Sequence, residues 1–181
     1  MSYFAEFGRC LVWAVFVVAV ISKSRGRRQF REFVDSLAAL NYIPNRLVAA
    51  VAAGVVAAEW AVAVLLVVLP VPELRTFGLG LAAALLTCFA VAIGLVLRRG
   101  TSAACRCFGG SASAPFGWHH VVRNGALGLI GLAGCYAGCQ QTALDLGALA
   151  VMAPFGLLAA FLVIRLDEVV ALFKPASAAG R

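Results

Sequence analysis

Two cysteines separated by one residue give this sequence its clearest candidate chemistry. They lie in the segment Cys105-Arg106-Cys107-Phe108-Gly109, within a connection rich in glycine, serine and alanine. A disulfide that closes so small a ring is strained, and strained, exposed disulfides are the labile and catalytic ones. Nearby positive charge lowers the pKa of a thiol and raises its thiolate fraction. Three arginines surround the pair: Arg98, Arg99 and Arg106. The segment therefore predicts a redox pair, Cys105 and Cys107, supported by Arg106, Phe108 and Gly109.

Metal binding is an alternative for the same thiols. With His119 and His120, Cys105 and Cys107 offer two thiolates and two imidazoles, which is a zinc-type ligand set. The Cys-x-Cys spacing is tighter than in usual zinc sites, and adjacent histidines rarely direct both rings at one ion. We therefore prefer the redox interpretation and assign no metal ligands, and nothing in the sequence identifies a cofactor. Two alternatives stay open. One is a metal-binding or transport bundle that uses Cys105, Cys107 and Glu59, and the other is that the two thiols have no chemical role.

Polar residues inside the apolar segments are the next candidates. Glu59 falls near the middle of the second apolar segment, where a carboxylate costs about 2.5–3.5 kcal/mol on insertion scales. It should therefore face the bundle interior, either protonated or paired, and Arg9 is the predicted partner. Arg123 and Asn124 open the fourth apolar helix directly after the cysteine connection. They could hold that connection against the bundle or bind a lipid headgroup.

Small residues and further thiols recur in the fourth apolar segment. Gly125, Gly128, Gly131 and Gly134 repeat every third residue, which favours close helix packing within the bundle over dimerisation. Cys135 and Cys139 share one helical face, four residues apart. For these thiols we favour a packing role over a relay that passes electrons across the bilayer.

Composition defines the elements that must position these residues. Of 181 residues, 63% are hydrophobic and 13% are charged, and the mean hydropathy is +0.97. A typical soluble domain is about 45–50% apolar and about 25% charged, so the lipid bilayer must be part of the solvent. The net charge of +7 comes from basic residues concentrated in the connections between apolar segments, which excludes a nucleic-acid-binding surface.

Five apolar segments have roughly the length of about 20 residues that spans a bilayer. They cover approximately residues 4–22, 47–69, 76–97, 121–138 and 145–165. The predicted fold is an all-α polytopic transmembrane bundle of five spanning helices, or four, because the fourth segment is short and interrupted. The apolar residues between 30 and 40 recur at helical spacing and predict an amphipathic helix on the membrane surface. Residues 1–173 form one transmembrane domain, and 174–181 a disordered tail.

Charge bias predicts the orientation of the chain in the inner, or cytoplasmic, membrane. The first and third connections and the C-terminal end hold 6, 4 and 3 Lys and Arg, against 1, 1 and 0 in the other three regions. Under the positive-inside rule, the N-terminus lies outside and the C-terminus in the cytoplasm, with the cysteine connection also inside. No basic residue precedes the first apolar segment, which indicates a retained anchor rather than a cleaved signal.

The chain resembles the methylamine utilisation protein MauE family, which is related to DoxX-like membrane proteins. The residues that carry the resemblance are Arg9, Lys23, the stretch FREFVDSLAALNYIP, Glu59, the Cys105–Gly109 segment and Arg123-Asn124. The resemblance covers roughly residues 3–137. It implies maturation of the exported, disulfide-rich small subunit of methylamine dehydrogenase together with a thioredoxin-like partner, with Cys105 and Cys107 as the redox pair. A quinone-linked disulfide oxidoreductase is the alternative enzyme, and a purely structural subunit without enzymatic activity is a further alternative. An exported substrate requires outward-facing thiols, whereas the charge bias places them inside.

Overall fold

The computed structural model describes residues 2–40, 42–67, 71–99, 117–139 and 145–166, and the regular structure within these ranges is helical. The described ranges contain six α-helices, in chain order α1 (Ser2–Ser24), α2 (Arg27–Ala39), α3 (Asn45–Val67), α4 (Pro72–Arg98), α5 (Trp118–Gly138) and α6 (Leu146–Ile164). The all-helical membrane bundle predicted from the sequence is confirmed. The tail predicted at 174–181 lies outside the described residues.

Four of these helices, α1, α3, α4 and α6, have the length and apolar composition to cross a membrane. Helix α5 has 21 residues, which at about 1.5 Å per residue is also long enough. Its first two turns, however, carry His119, His120, Arg123 and Asn124. The described helices thus comprise four candidate spans and a fifth long helix that begins with polar residues.

The register of the long helices defines two ends of the bundle. Arg9 near the start of α1 donates a hydrogen bond to the carbonyl of Leu66 at the end of α3, so these helices run antiparallel. Gly128 of α5 faces Ala83 of α4, whereas Gly138 faces Thr76, so α4 and α5 are also antiparallel. We call the end formed by the C-termini of α1 and α4 and the N-terminus of α5 the loop end. The other is the opposite end.

Small residues allow α5 to pack closely on α4. A Cβ atom on Gly131 would lie 3.4 Å from the Cβ of Ala83 and 3.5 Å from the carbonyl oxygen of Leu79. Gly128 and Gly134 also face α4, whereas Gly125 has open space around it. Packing within the bundle, which the glycine repeat predicted, is therefore confirmed for three of the four positions. It is this close approach that fixes the level of the polar residues on α5 relative to α4.

Helix α2 has the predicted amphipathic character. Phe33 is buried at 3% exposure, while Arg28 projects outward and forms an ion pair of 3.1 Å with Glu32. The apolar side of α2 packs against α1 and α3 at the loop end. Its position on a membrane surface stays a prediction.

Candidate functional site

The predicted redox segment joins two helix ends that lie side by side. Cys105, Arg106, Cys107, Phe108 and Gly109 lie outside the described residues, so the pair stays a prediction. The described chain ends before them at Arg99, the C-cap of α4, and resumes at Gly117, the N-cap of α5. Both positions belong to the loop end. The connection that carries the thiols therefore leaves the bundle and re-enters it at the loop end, and the described residues of this end flank it on both sides.

Glu59 forms a buried ion pair with Lys23, and the predicted pairing with Arg9 is wrong. The Nζ atom of Lys23, in the last turn of α1, contacts Oε1 of Glu59 on α3. The side chains are 4% and 2% exposed. Burial of a lone charge is costly, so the two charges must compensate each other here. The second carboxylate oxygen, Oε2, is buried and has no hydrogen-bond partner within the described part of the chain.

Aromatic rings complete the surroundings of the lysine. Its Nζ atom lies 4.9 Å from the ring centroid of Phe33 on α2 and 5.8 Å from that of Phe89 on α4. Both distances are within the range of a cation–π interaction. Lys23 of α1 thus contacts side chains on three other helices, α2, α3 and α4. Its flexible side chain therefore holds four helices together inside the loop end.

Arg9 is occupied elsewhere, and the reason is local. Its Nε atom donates to Glu6 Oε2 at 2.7 Å, and its Nη1 atom donates to the Leu66 carbonyl at 2.7 Å. Glu6 lies three residues earlier on the same helix, the spacing at which side chains meet. Glu59 lies almost two turns of α3 further toward the loop end. The sequence signal that identifies Glu6 as the partner was therefore present in the i, i+3 spacing.

Arg123 and Asn124 are buried in the loop-end half of the bundle, each at 6% exposure. The contacts of Gly128 with α4 place Arg123 about level with Val91, roughly half a turn beyond Phe89. The structure therefore brings Glu59, Arg123 and Asn124 into the same half of the molecule, together with Lys23. Whether Arg123 and Asn124 hold the cysteine connection or bind a headgroup stays open.

The two histidines of the alternative zinc set lie in the first turn of α5, about one turn before Arg123. The ring centroids of His119 and His120 are 4.0 Å apart, and His120 is buried. Among the residues that the structure describes, no three His, Cys, Asp or Glu side chains form a metal-binding group. The four-ligand set that includes Cys105 and Cys107 extends outside those residues and is untested.

A second charged cluster, which the sequence reasoning missed, lies at the opposite end. Arg75 in the first turn of α4 places Nη1 3.9 Å from Oε1 of Glu6, which also binds Arg9. Arg75 is 7% exposed, and its Nε atom has no hydrogen-bond partner among the described residues. A cavity of about 20 Å³ beside the three side chains has room for one water molecule. This cluster therefore holds one buried carboxylate and two guanidinium groups, and Glu73 adds an exposed carboxylate two residues before Arg75.

Basic residues flank the cysteine connection in the chain. Arg98 and Arg99 are exposed at the end of α4, next in the chain to the cysteine connection, and Arg123 follows it. The guanidinium of Arg99 stacks on the ring of Tyr42 at 4.3 Å, which ties the end of α4 to the connection between α2 and α3. An electropositive environment of this kind stabilises thiolates.

Comparison with known proteins identifies the family. The family "Methylamine utilisation protein MauE" matches residues 1–137, a range that includes both cysteines of the predicted pair and all the charged residues above. The chain is 38% identical over 126 residues to methylamine utilization protein MauE from Paracoccus denitrificans. That alignment covers 69% of this chain and 64% of the relative, so the chain spans slightly less than two thirds of it. No solved structure matches significantly. From the extent of the family match, this chain belongs to the MauE family.

Proposed function

We propose that this protein is a membrane component of methylamine utilisation that assists disulfide formation or isomerisation in an exported partner. The partner expected from the family is the small subunit of methylamine dehydrogenase, and a thioredoxin-like protein would renew the redox state of the pair. The observation that carries the proposal is the family match over residues 1–137, which includes Cys105 and Cys107. The proposed location is the inner membrane.

The proposed chemistry is thiol–disulfide exchange. A thiolate of Cys105 or Cys107 attacks one sulfur of a partner disulfide, forms a mixed disulfide and releases the other partner sulfur as a thiolate. For isomerisation, that released thiolate or another partner thiol resolves the mixed disulfide, and the pair is regenerated. For reduction, the second cysteine resolves it, so the pair is oxidised and the partner gains two electrons and two protons. Disulfide formation is the reverse sequence. The arginines at the end of α4 support this chemistry because they favour the attacking thiolate.

The buried residues of the loop end have a supporting role in this proposal. The Lys23–Glu59 pair, with its contacts to α2 and α4, fixes the helices from which the cysteine connection departs. Arg123 and Asn124 are buried in the helix to which it returns. A site built on fixed elements presents its thiols reproducibly to a partner.

The proposal is tested in cells that produce methylamine dehydrogenase, with chromosomal variants of this protein. Cys105→Ser and Cys107→Ser should each leave the small subunit with unpaired or mispaired cysteines and prevent growth on methylamine. Cys88→Ser is the matched control, since Cys88 is an exposed cysteine on the surface of α4. The disulfide state of the small subunit is measured by alkylation and mass spectrometry. A small subunit with native disulfides in either variant would contradict the proposed function.

A second measurement decides on which side the pair works. A chain that retains only Cys105 and Cys107 is treated in intact cells with a membrane-impermeant maleimide, before and after reduction. Labelling that requires reduction indicates an outward-facing disulfide and contradicts the charge-based orientation. Labelling by a permeant reagent alone places the pair inside, which contradicts direct exchange with an exported partner.

A further inference from the structure

A second pair of thiols lies at the opposite end of α5. Cys135 is half-buried and Cys139 is exposed, and the two thiols are close enough to interact electrostatically. Neither forms a disulfide in this structure. Cys139 is also the C-cap of α5, and its amide donates to the carbonyl of Cys135 at 3.0 Å. The two sulfurs are therefore neighbours on the last turn of the helix.

Both thiols line an open groove of about 770 Å³ between α4 and α5. Its apolar wall is formed by Phe77, Leu81 and Ala84, and Gly80 opens the space next to the Cys135 sulfur. Helix α4 is a candidate membrane span, so in a bilayer the wall of Phe77, Leu81 and Ala84 would face the apolar phase, while Glu73 and Cys139 lie at the helix ends. The volume of the groove is within the usual range for small-molecule sites, about 300–1,000 Å³.

Helix geometry gives this pair a particular redox character. Side chains four residues apart on a helix have Cβ atoms about 5–6 Å apart, whereas a disulfide requires about 3.5–4.5 Å. Closing the bond must therefore loosen the last turn of α5 and sacrifice the hydrogen bond between the Cys139 amide and the Cys135 carbonyl. A strained disulfide is easily reduced. The pair consequently requires a strong oxidant and passes its disulfide on readily.

The lining of the groove and of the neighbouring cavity indicates what kind of oxidant fits. The small cavity that contains Arg9 and Arg75 shares three lining residues with the groove: Pro72, Thr76 and Gly138. Two guanidinium groups face one carboxylate there, and Nε of Arg75 is buried with no hydrogen-bond partner in the described residues. Arg75 lies in the adjoining cavity and does not line the groove. The groove itself combines an apolar wall, two thiols and the carboxylate of Glu73 at one edge, a lining that fits an apolar oxidant that takes up two electrons with two protons.

We propose that Cys135 and Cys139 form a second redox site, which is oxidised by a lipid-soluble quinone bound in this groove. In the balanced reaction, the sulfur–hydrogen bonds of both thiols break and a sulfur–sulfur bond forms. The two electrons and two protons pass to the quinone, which leaves as the quinol. This proposal concerns only these two thiols and is independent of any exchange at Cys105 and Cys107.

The test uses the full chain with the other four cysteines changed to Ser, purified in detergent, reduced and kept without oxygen. A short-chain ubiquinone analogue is added, quinol formation is followed by absorbance, and free thiols are counted by maleimide alkylation. The expected result is one quinol for each two thiols lost. Either single change, Cys135→Ser or Cys139→Ser, should prevent formation of the intramolecular disulfide.

Variants on α4 decide whether the groove is the binding site. Gly80→Leu should slow the oxidation by about tenfold or more, because a displaced reactant loses its reactive position. Gly94→Leu is the matched control, since Gly94 is a half-buried glycine of the same helix with open space around it. Ala84→Phe, compared with Val91→Phe, provides a second pair at exposed positions should Gly80→Leu fail to fold.

Two results would overturn the proposal. The first is a pair that closes with diamide, a general thiol oxidant, but not with the quinone analogue. The second is an equal rate of quinone reduction in the groove variants and their controls, which would place the reaction outside the groove.

Discussion

The two ends of the bundle handle buried charge in different ways. At the loop end, one amine and one carboxylate compensate each other, and the pair joins residues 36 apart in the chain. At the opposite end, Glu6 and Arg9 are three residues apart on one helix, and Arg75 adds a second guanidinium. The Lys23–Glu59 pair is therefore balanced by itself, although Arg123 is also buried in the same half. The Glu6 cluster instead contains one more buried guanidinium than buried carboxylate, and the exposed Glu73 lies two residues before Arg75.

The side chains suit these roles. Lysine presents a compact charge on a flexible stem, so Lys23 can reach from the last turn of α1 to a carboxylate in the interior. Arginine has several donors in a fixed fork, so Arg9 binds both the Glu6 carboxylate and the Leu66 carbonyl. A balanced pair is suited to holding helices in place, whereas surplus charge beside a cavity is suited to meeting an anion or a polar ligand.

The largest expected effect is loss of the balanced pair. Lys23→Met leaves Glu59 buried without a partner and should lower the free energy of unfolding by about 3–5 kcal/mol. The double change Lys23→Met with Glu59→Leu should recover most of that loss, because no charge remains. Unfolding in detergent micelles by SDS titration measures both.

A surface pair provides the control for this experiment. Arg28→Met removes the exposed ion pair with Glu32 and should cost less than about 0.5 kcal/mol. If Lys23→Met were no worse than Arg28→Met, the buried pair would have no structural role.

The opposite end should respond asymmetrically to loss of its charges. Glu6→Gln leaves two guanidinium groups without their carboxylate and should cost about 1.5–3 kcal/mol, as for hydrogen bonds between charged groups. Arg75→Met removes surplus charge and should be neutral or stabilising. The same SDS titration applies, and equal losses for both variants would contradict the surplus-charge description.

Helix α6 packs closely on the first half of α1 at Gly156. A Cβ atom on Gly156 of α6 would lie 2.8 Å from the Cβ of Cys10 and 3.0 Å from the carbonyl of Phe7 on α1. Gly156→Ala should therefore separate α1 from α6 and cost about 1–3 kcal/mol. Gly54→Ala, where α3 has open space, should instead stabilise the protein by about 0.5–1 kcal/mol through lower backbone entropy. Equal effects would exclude a packing role for Gly156.

The smallest effect is expected at the start of α6. Asp145 is its N-cap, and the side chain accepts a hydrogen bond of 2.9 Å from the amide of Ala148. Asp145→Ala should cost about 1 kcal/mol, whereas Asp145→Asn should retain most of the stability because asparagine also caps helices. Circular dichroism during thermal unfolding compares the two, and equal melting temperatures for Ala and Asn would exclude the cap.

Sequence patterns predicted some contacts and missed others for identifiable reasons. The glycine repeat predicted the face of α5 that packs on α4, because small residues act wherever two helices approach closely. The partner of Glu59 was assigned wrongly, because a choice between Arg9 and Lys23 depends on the register of α1 against α3. Arg75 was counted only as a charge in a connection, although it lies on α4 and turns inward.

The sequence by itself determined the membrane class, the helices and the family, whereas the redox pair Cys105 and Cys107 stays a prediction. The class, the helices and the family depend on composition, on apolar length and on motifs that are local in the chain. Only the tertiary structure decided which charges meet, that Glu59, Arg123 and Asn124 share one half of the bundle, and that a groove lies beside Cys135 and Cys139. The physical reason is that an ionisable group in an apolar interior must find a partner within a few ångströms. The antiparallel register of the helices and the reach of each side chain determine which partner that is.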